Sequence, residues 1–187
     1  MRSNDDRVDK SITFQPVNIA VMTVSDTRMT GNDRSGDLLE SRVIEDGHVL
    51  ADRAIITDDQ PKILARLEEW IDDPAVDAVV ATGGTGLTGR DVTPEAFRAV
   101  FDKEIEGFGE LFRYLSFQKI GTSTVQSRAL AGVAGGTYLF ALPGSPSGCR
   151  DGWDEILRYQ LDIRHKPCNF VEIMPRLTES VTQRRRG

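Results

Sequence analysis

No apolar run in the chain approaches the roughly 20 residues needed to cross a bilayer. No apolar core follows the polar, acidic start MRSNDDRVDK, so neither a membrane span nor a secretory signal is expected. Cysteine is scarce: Cys149 and Cys168 stand alone, without paired metal spacing, which argues against a disulfide framework or a zinc ribbon. His48 and His165 are the only histidines, far apart and without neighbouring ligand types, so no zinc site is expected. Positive charge is in deficit, with 23 Lys and Arg against 29 Asp and Glu and a net charge of −6. That argues against a dedicated nucleic-acid binder, and the RRR at 184–186 reads as a solvated tail. Internal repeats and interdomain linkers are absent. What remains is a cytoplasmic protein of 187 residues, 39% hydrophobic, long enough for one compact domain with a substantial core.

The middle of the chain alternates strand and helix signals. VNIAVMTV (17–24) is a nearly continuous apolar run, as a strand buried on both faces requires. Ser35 is placed to cap a helix through Leu38, Leu39 and Val43, with Gly47 as its stop. A second strand ends at 54–57, and a helix is expected over 60–72. There Ile63, Leu64, Leu67, Trp70 and Ile71 form one apolar stripe, and Pro61 fits the first turn. VDAVVAT (76–82) is a third strand. Thr93 is placed to cap the next helix, with Pro94 in its first turn. A further helix is expected over 104–117, turning in at Gly107-Phe108-Gly109, then a strand at 137–142 and a helix to about 161. This order predicts an α/β fold of three layers: a mostly parallel sheet with helices on both faces. The domain is expected to span 14–174, with 1–13 and 175–187 as flexible tails poor in large apolar groups.

Ligands of such sheets bind beyond the carboxyl ends of the strands. The residues leaving the expected strands are Ser25-Asp26-Thr27-Arg28, Asp58-Asp59, Gly83-Gly84-Thr85-Gly86 and Pro143-Gly144-Ser145. The stretch VVATGGTGLTGRDVTPEAF (79–97) spells G-x-G-x-x-G at Gly84, Gly86 and Gly89. A dinucleotide fingerprint needs its helix to begin inside the glycines, however, and here the helix signal starts at Thr93. Read as a phosphate loop of the Walker type, it has Arg90 and Asp91 where Lys and a hydroxyl are required. A carboxylate there can bind magnesium instead. A glycine cradle for phosphate with a carboxylate for magnesium suits phosphoryl or nucleotidyl transfer. The plainer alternative is a tight turn in which Asp91 caps a helix. Asp58-Asp59 has the same two readings, a magnesium partner for Asp91 or a helix cap. Ser127-Arg128 could hold a phosphate or lie on the surface. Cys149, Trp70 and Trp153 read as core residues.

TVSDTR (23–28), TGGTGLTGRDVTPEA (82–96), GFGELFR (107–113), GTSTVQSRALAG (121–132) and ALPGSP (141–146) together resemble the MoaB/MogA family of molybdenum cofactor biosynthesis proteins, over about 16–169. LSFQKIGTSTVQSR and the short C-terminal end look more like the MoaB branch. The resemblance implies a molybdopterin-binding fold, assembled as a homotrimer or homohexamer. It also implies an adenylyltransferase: Mg-ATP and molybdopterin give adenylyl-molybdopterin and pyrophosphate. Matched by motif, Asp91 is the essential acid and Asp58, or Asp59 by a shift of one, its partner, both on magnesium. Gly83, Gly84, Thr85 and Gly86 form the nucleotide and pterin-phosphate loop. Ser127 and Arg128, with Ser116, line the pterin pocket. Ser25 and Asp26 flank it, and Pro143, Gly144 and Ser145 take the adenosine side. The expected partners are molybdopterin, ATP and other molybdenum cofactor enzymes. The other reading, from a different class, is a non-catalytic molybdopterin-binding or scaffold protein.

Overall fold

In a computed structural model, residues 3–179 are described. Six strands form one sheet in the order β2-β1-β3-β6-β5-β4. They are β1 Asn18–Val24, β2 Val49–Ile56, β3 Ala78–Thr82, β4 Lys103–Glu104, β5 Leu130–Ala134 and β6 Thr137–Leu142. β2, β1, β3 and β6 run parallel, while β5 is antiparallel to β6 and to β4. Alternate residues of each strand feed opposite faces. Ile19, Val21, Val80, Phe140 and Leu142 meet α1 Arg34–Glu45, α4 Glu106–Ile120 and α5 Pro146–Gly152 in one core. Ala20, Met22, Val79, Ala81 and Leu139 meet α2 Gln60–Asp72 and α3 Thr93–Val100 in the other. Both faces are therefore covered, and the expected three-layer, mostly parallel α/β architecture is present. Trp153 and Trp70 are core residues as expected. Their indole N–H groups donate to Asp46 (2.7 Å) and Asp52 (2.9 Å), which removes the cost of burying a donor.

Several local expectations are corrected. α1 is capped by Asp33, which accepts from the Gly36 N–H, and not by Ser35, whose hydroxyl donates to the Gly144 carbonyl. Thr93 lies inside α3, and Val92 occupies the cap position. Gly107 and Gly109 do not turn the chain into α4 but sit in its first turns. A Cβ on Gly109 would stand 2.6 Å from the Ala129 carbonyl, so glycine lets the helix approach the start of β5. α5 continues through a widened turn at Trp153–Leu157 into α6 Arg158–Gln160, and α7 Phe170–Ile173 follows. Within the N-terminal segment expected as a tail, Arg7 and Asp9 are docked. The Asp9 N–H donates to the Arg164 carbonyl and the Lys166 N–H to the Arg7 carbonyl. Leu177, beyond the expected boundary at 174, packs on the first core beside Met174. The RRR run lies outside the described residues. No helix among those residues is long and apolar enough to cross a membrane.

His48 lies near the rings of Phe14 and Trp153, and its Nδ1 accepts the Val17 N–H at 3.2 Å. Burial pushes its pKa below 6.5, against the opposing pull of Asp46 and Asp162. A base with a lowered folded value takes up a proton more readily when unfolded. Its contribution to stability is complete above the unfolded value and is lost as pH falls below it. The urea midpoint should drop between about pH 7.5 and 5.5, and His48→Gln should flatten that dependence. An equal slope in the variant would show that other groups set it.

Candidate functional site

The site begins where β3 ends. After Thr82 the backbone turns through Gly83 (φ +99°) and Gly84 (φ +62°), in the left-handed region that side chains disfavour. The turn is tied to the start of α3: the Thr93 hydroxyl donates to the Gly83 carbonyl at 2.9 Å and the Thr93 N–H to the Gly84 carbonyl at 3.0 Å. The loop between them folds back on itself. Asp91 Oδ2 accepts from the Thr88 N–H at 2.8 Å and the Thr88 hydroxyl at 2.6 Å. A Cβ on Gly86 would lie 2.7 Å from that same oxygen, so the loop closes around the carboxylate. Burial pushes the Asp91 pKa up, but the Thr88 donors, the Gly86 N–H and the charge of Arg128 outweigh it. The group is held below its ordinary value. Asp91 is a carboxylate at neutral pH.

Asp58 and Asp59 have separate roles. Asp59 caps α2, accepting from the Lys62 N–H at 3.1 Å. Asp58 faces the glycine turn: a Cβ on Gly84 would lie 2.9 Å from Asp58 Oδ1. The Asp58 N–H donates to Asp26 Oδ1 at 3.2 Å, and Asp26 is paired with Arg90. Burial, then the charges of Asp26 and Asp91, push the Asp58 pKa up. The loops after β1, β2 and β3 thus gather negative charge at one edge of the sheet. Among the described residues no group of three or more acids, histidines or cysteines is arranged to hold a metal. Magnesium does not need one, because it takes one or two carboxylates together with phosphate oxygens and water. Asp91 and Asp58 are carboxylates of the kind it takes, and the Asp58 charge is disfavoured first by burial, then by Asp26 and then by Asp91.

A cleft of about 550 Å³ opens on the other side of the turn. Gly84, Thr85, Gly86 and Asp91 form one wall, Ser116 of α4 and Ser127 a second, and Pro143, Gly144 and Ser145 a third. The third wall is fixed through its carbonyls. Thr82 Oγ1 donates to the Pro143 carbonyl at 2.8 Å, and Arg28 and Ser35 donate to the Gly144 carbonyl at 2.6 and 2.8 Å. Ser145 Oγ caps α5 by accepting the Gly148 N–H. Most of the residues singled out in the sequence therefore surround one cavity. Asp58, Asp26, Ser25 and Gly83 do not line it. Ser25 Oγ is occupied by the N–H groups of Thr27 and Arg28, both at 3.3 Å.

Arg128 does not line the cleft either. It lines a neighbouring depression of about 370 Å³, and each of its three guanidinium nitrogens already has a partner. Nε donates to the Gly86 carbonyl at 2.8 Å, Nη2 to the Asp91 carbonyl at 2.7 Å, and Nη1 pairs with Glu95. Its geometry is that of a clamp on the loop carrying Asp91, not of a free phosphate fork.

Sequence reasoning missed Lys119 and Asp151, which meet across the cleft wall at 2.7 Å. Their helices are far apart in sequence, and no local pattern marks the pair. It also missed Asp33, which is fully buried and receives Thr23 Oγ1 at 2.6 Å together with Arg28 and Arg53. Through Arg28 this carboxylate supports the Gly144 carbonyl. Cys149 is buried against Thr82, and burial pushes its thiol up to about 11, which leaves it without nucleophilic character at neutral pH.

Residues 20–163 match the family described as a probable molybdopterin binding domain. The chain is 50% identical over 160 residues to Molybdenum cofactor biosynthesis protein B of Escherichia coli (strain K12), covering 86% of this chain and 94% of that protein. A crystal structure of Molybdenum cofactor biosynthesis protein B is similar with a TM-score of 0.74 at 36% identity, over 92% of this chain and 98% of that one. The tungsten cofactor synthesizing protein MoaB from Pyrococcus furiosus is similar with a TM-score of 0.70 at 38% identity, over 76% and 91% of the two chains.

Proposed function

Since the chain belongs to the MoaB/MogA family of molybdenum cofactor biosynthesis proteins, with a molybdopterin-binding domain, we propose that it adenylylates molybdopterin at the cleft beside Asp91. In this reaction a terminal phosphate oxygen of molybdopterin attacks the α-phosphorus of ATP. The new P–O bond joins adenylate to the pterin phosphate, and the bond from the α-phosphorus to the bridging oxygen breaks, releasing pyrophosphate.

The observation that carries this reading is the ionised Asp91 carboxylate on the cleft wall beside the glycine turn, with Asp58 packed against the same turn. Bound magnesium would neutralise phosphate charge; Asp91 and Asp58 are the residues to hold it. The chain's own contribution is otherwise positional. The Gly83 N–H is bound to the Leu142 carbonyl and the Gly86 N–H to Asp91, so the donors left to the turn are the Gly84 and Thr85 N–H groups, held by the two Thr93 bonds; fixed donors of this kind stabilise developing charge without reorganising. Arg128 holds the Asp91 carbonyl in place, and the Pro143–Ser145 wall accepts the adenosine. Ser116 and Ser127 offer hydroxyls to the pterin. Self-association as a trimer or hexamer belongs to the same reading, and solution mass measurement would distinguish the two.

The test is direct: purified protein is mixed with molybdopterin and Mg-ATP, and pyrophosphate and adenylyl-molybdopterin are measured. Both products should appear in equal amounts. Molybdopterin binding without either product would establish instead a non-catalytic pterin-binding protein.

A further inference from the structure

The cleft must receive a phosphate, yet its described lining contains a single cation. Of the charged residues on its wall, Asp91 and Asp151 are acids and Lys119 is the one base. The arginine that the motif suggests for this purpose, Arg128, has all three of its guanidinium nitrogens committed to Gly86, Asp91 and Glu95. Releasing them to a ligand would release the loop as well.

Lys119 is under no such obligation. It stands in the last turn of α4, with its side chain 46% exposed and its ammonium 2.7 Å from Asp151 Oδ1 and 3.5 Å from Glu155 Oε1. Exposed pairs of this kind contribute little. An ammonium on a four-carbon stem can exchange partners by rotating its own torsions. The pair lines the same cleft as Gly84, Thr85 and Gly86, so a phosphate bound there lies within reach of a wall that carries Lys119.

We propose that Lys119 is the phosphate-binding cation of the cleft, held ready by Asp151 and Glu155 and transferred to the phosphate monoester of the pterin when it binds. This rests on the molybdopterin reading of the cleft and names the group that recognises the ligand's charged end. Asp151 then acts as a competitor for Lys119 as well as its holder, which sets the ligand affinity below what the lysine alone would give.

Calorimetry with molybdopterin and with its dephosphorylated form, on the full chain, tests this. Lys119→Met keeps the stem and removes the charge. It should weaken molybdopterin binding about tenfold and flatten its salt dependence, with binding of the dephosphorylated pterin unchanged. Lys119→Arg should restore most of the affinity, and Asp151→Asn should tighten it. A thermal midpoint within a few degrees of the parent confirms that the variants are folded. If the parent binds molybdopterin and Lys119→Met binds it equally well, the assignment of Lys119 is overturned and the pterin reading stands. If the parent binds neither pterin, both fall together.

Discussion

Asp91→Asn should lower pyrophosphate release by about a hundredfold or more while leaving the protein folded. The side chain keeps its shape, and the amide oxygen can still accept the Thr88 N–H and hydroxyl that Asp91 Oδ2 accepts now. Arg128 grips the Asp91 backbone carbonyl, not its carboxylate, so the clamp survives. What disappears is a negative charge that Thr88, Gly86 and Arg128 together keep ionised. Asp58→Asn should also lower turnover, but with the opposite effect on stability. The Asp91 pKa is lowered in the folded state, so its stabilising contribution is present above 3.8 and is lost as pH falls through the folded value. The Asp58 pKa is raised, so folding becomes less favourable as pH rises from 3.8 through its folded value, and at neutral pH the charge opposes the fold. At neutral pH, then, the Asp58 variant should unfold at equal or higher urea, and the Asp91 variant at slightly lower urea. Full turnover in Asp91→Asn would sink the assignment of that acid, whatever the binding data show.

The parts of this arrangement that were legible in the sequence are those carried by local pattern. α2 was expected over 60–72 and occupies Gln60–Asp72, because its apolar stripe and Pro61 are both local signals. β6 was expected over 137–142 and occupies Thr137–Leu142. β5 was missed. LAGVA has few β-branched residues, and its strand character comes from burial against Phe108, Phe112 and the edge of α3 rather than from propensity. One signal was available: Gly135 and Gly136, both at positive φ, close the two-residue turn between β5 and β6. The site divided in the same way. The glycine turn and Asp91 lie in one continuous motif and were read from it, whereas the choice between Asp58 and Asp59 needed geometry. Thr93 misled because a threonine before Pro-Glu reads as a cap, yet its hydroxyl crosses to the Gly83 carbonyl. Lys119, Asp151 and Asp33 act through partners on other elements, which no local pattern reveals.

The motif's spelling and its constraint do not coincide, and that gives the sharpest stability contrast. G-x-G-x-x-G picks out Gly84, Gly86 and Gly89, but nothing lies within 4 Å of a Cβ built on Gly89. Gly83, outside the spelling, is the most confined glycine of this loop: φ is +99°, and a Cβ would stand 2.2 Å from the Val24 carbonyl oxygen. That obstacle is backbone at the end of a central strand and cannot rotate away. Nor can the turn retreat, because the Gly83 N–H is bound to the Leu142 carbonyl at 3.1 Å, its own carbonyl to Thr93, and its Cα lies against Gly144. The left-handed conformation costs a residue with a Cβ about 1–2 kcal/mol, and forcing a methyl into packed surroundings a further 1–3 kcal/mol or so. Gly83→Ala should therefore lose about 3 kcal/mol in urea unfolding, and Gly89→Ala should stay within about 0.5 kcal/mol of the parent. The loss should extend to function. Displacing Gly83 breaks the Thr93 bond that aims the turn's N–H groups, so the fraction of Gly83→Ala that still folds should turn over more slowly than the parent, while Gly89→Ala keeps its rate. Equal midpoints for the two variants would mean that the turn does not have this shape, and the placement of Asp58 and Asp91 on either side of it would go with it.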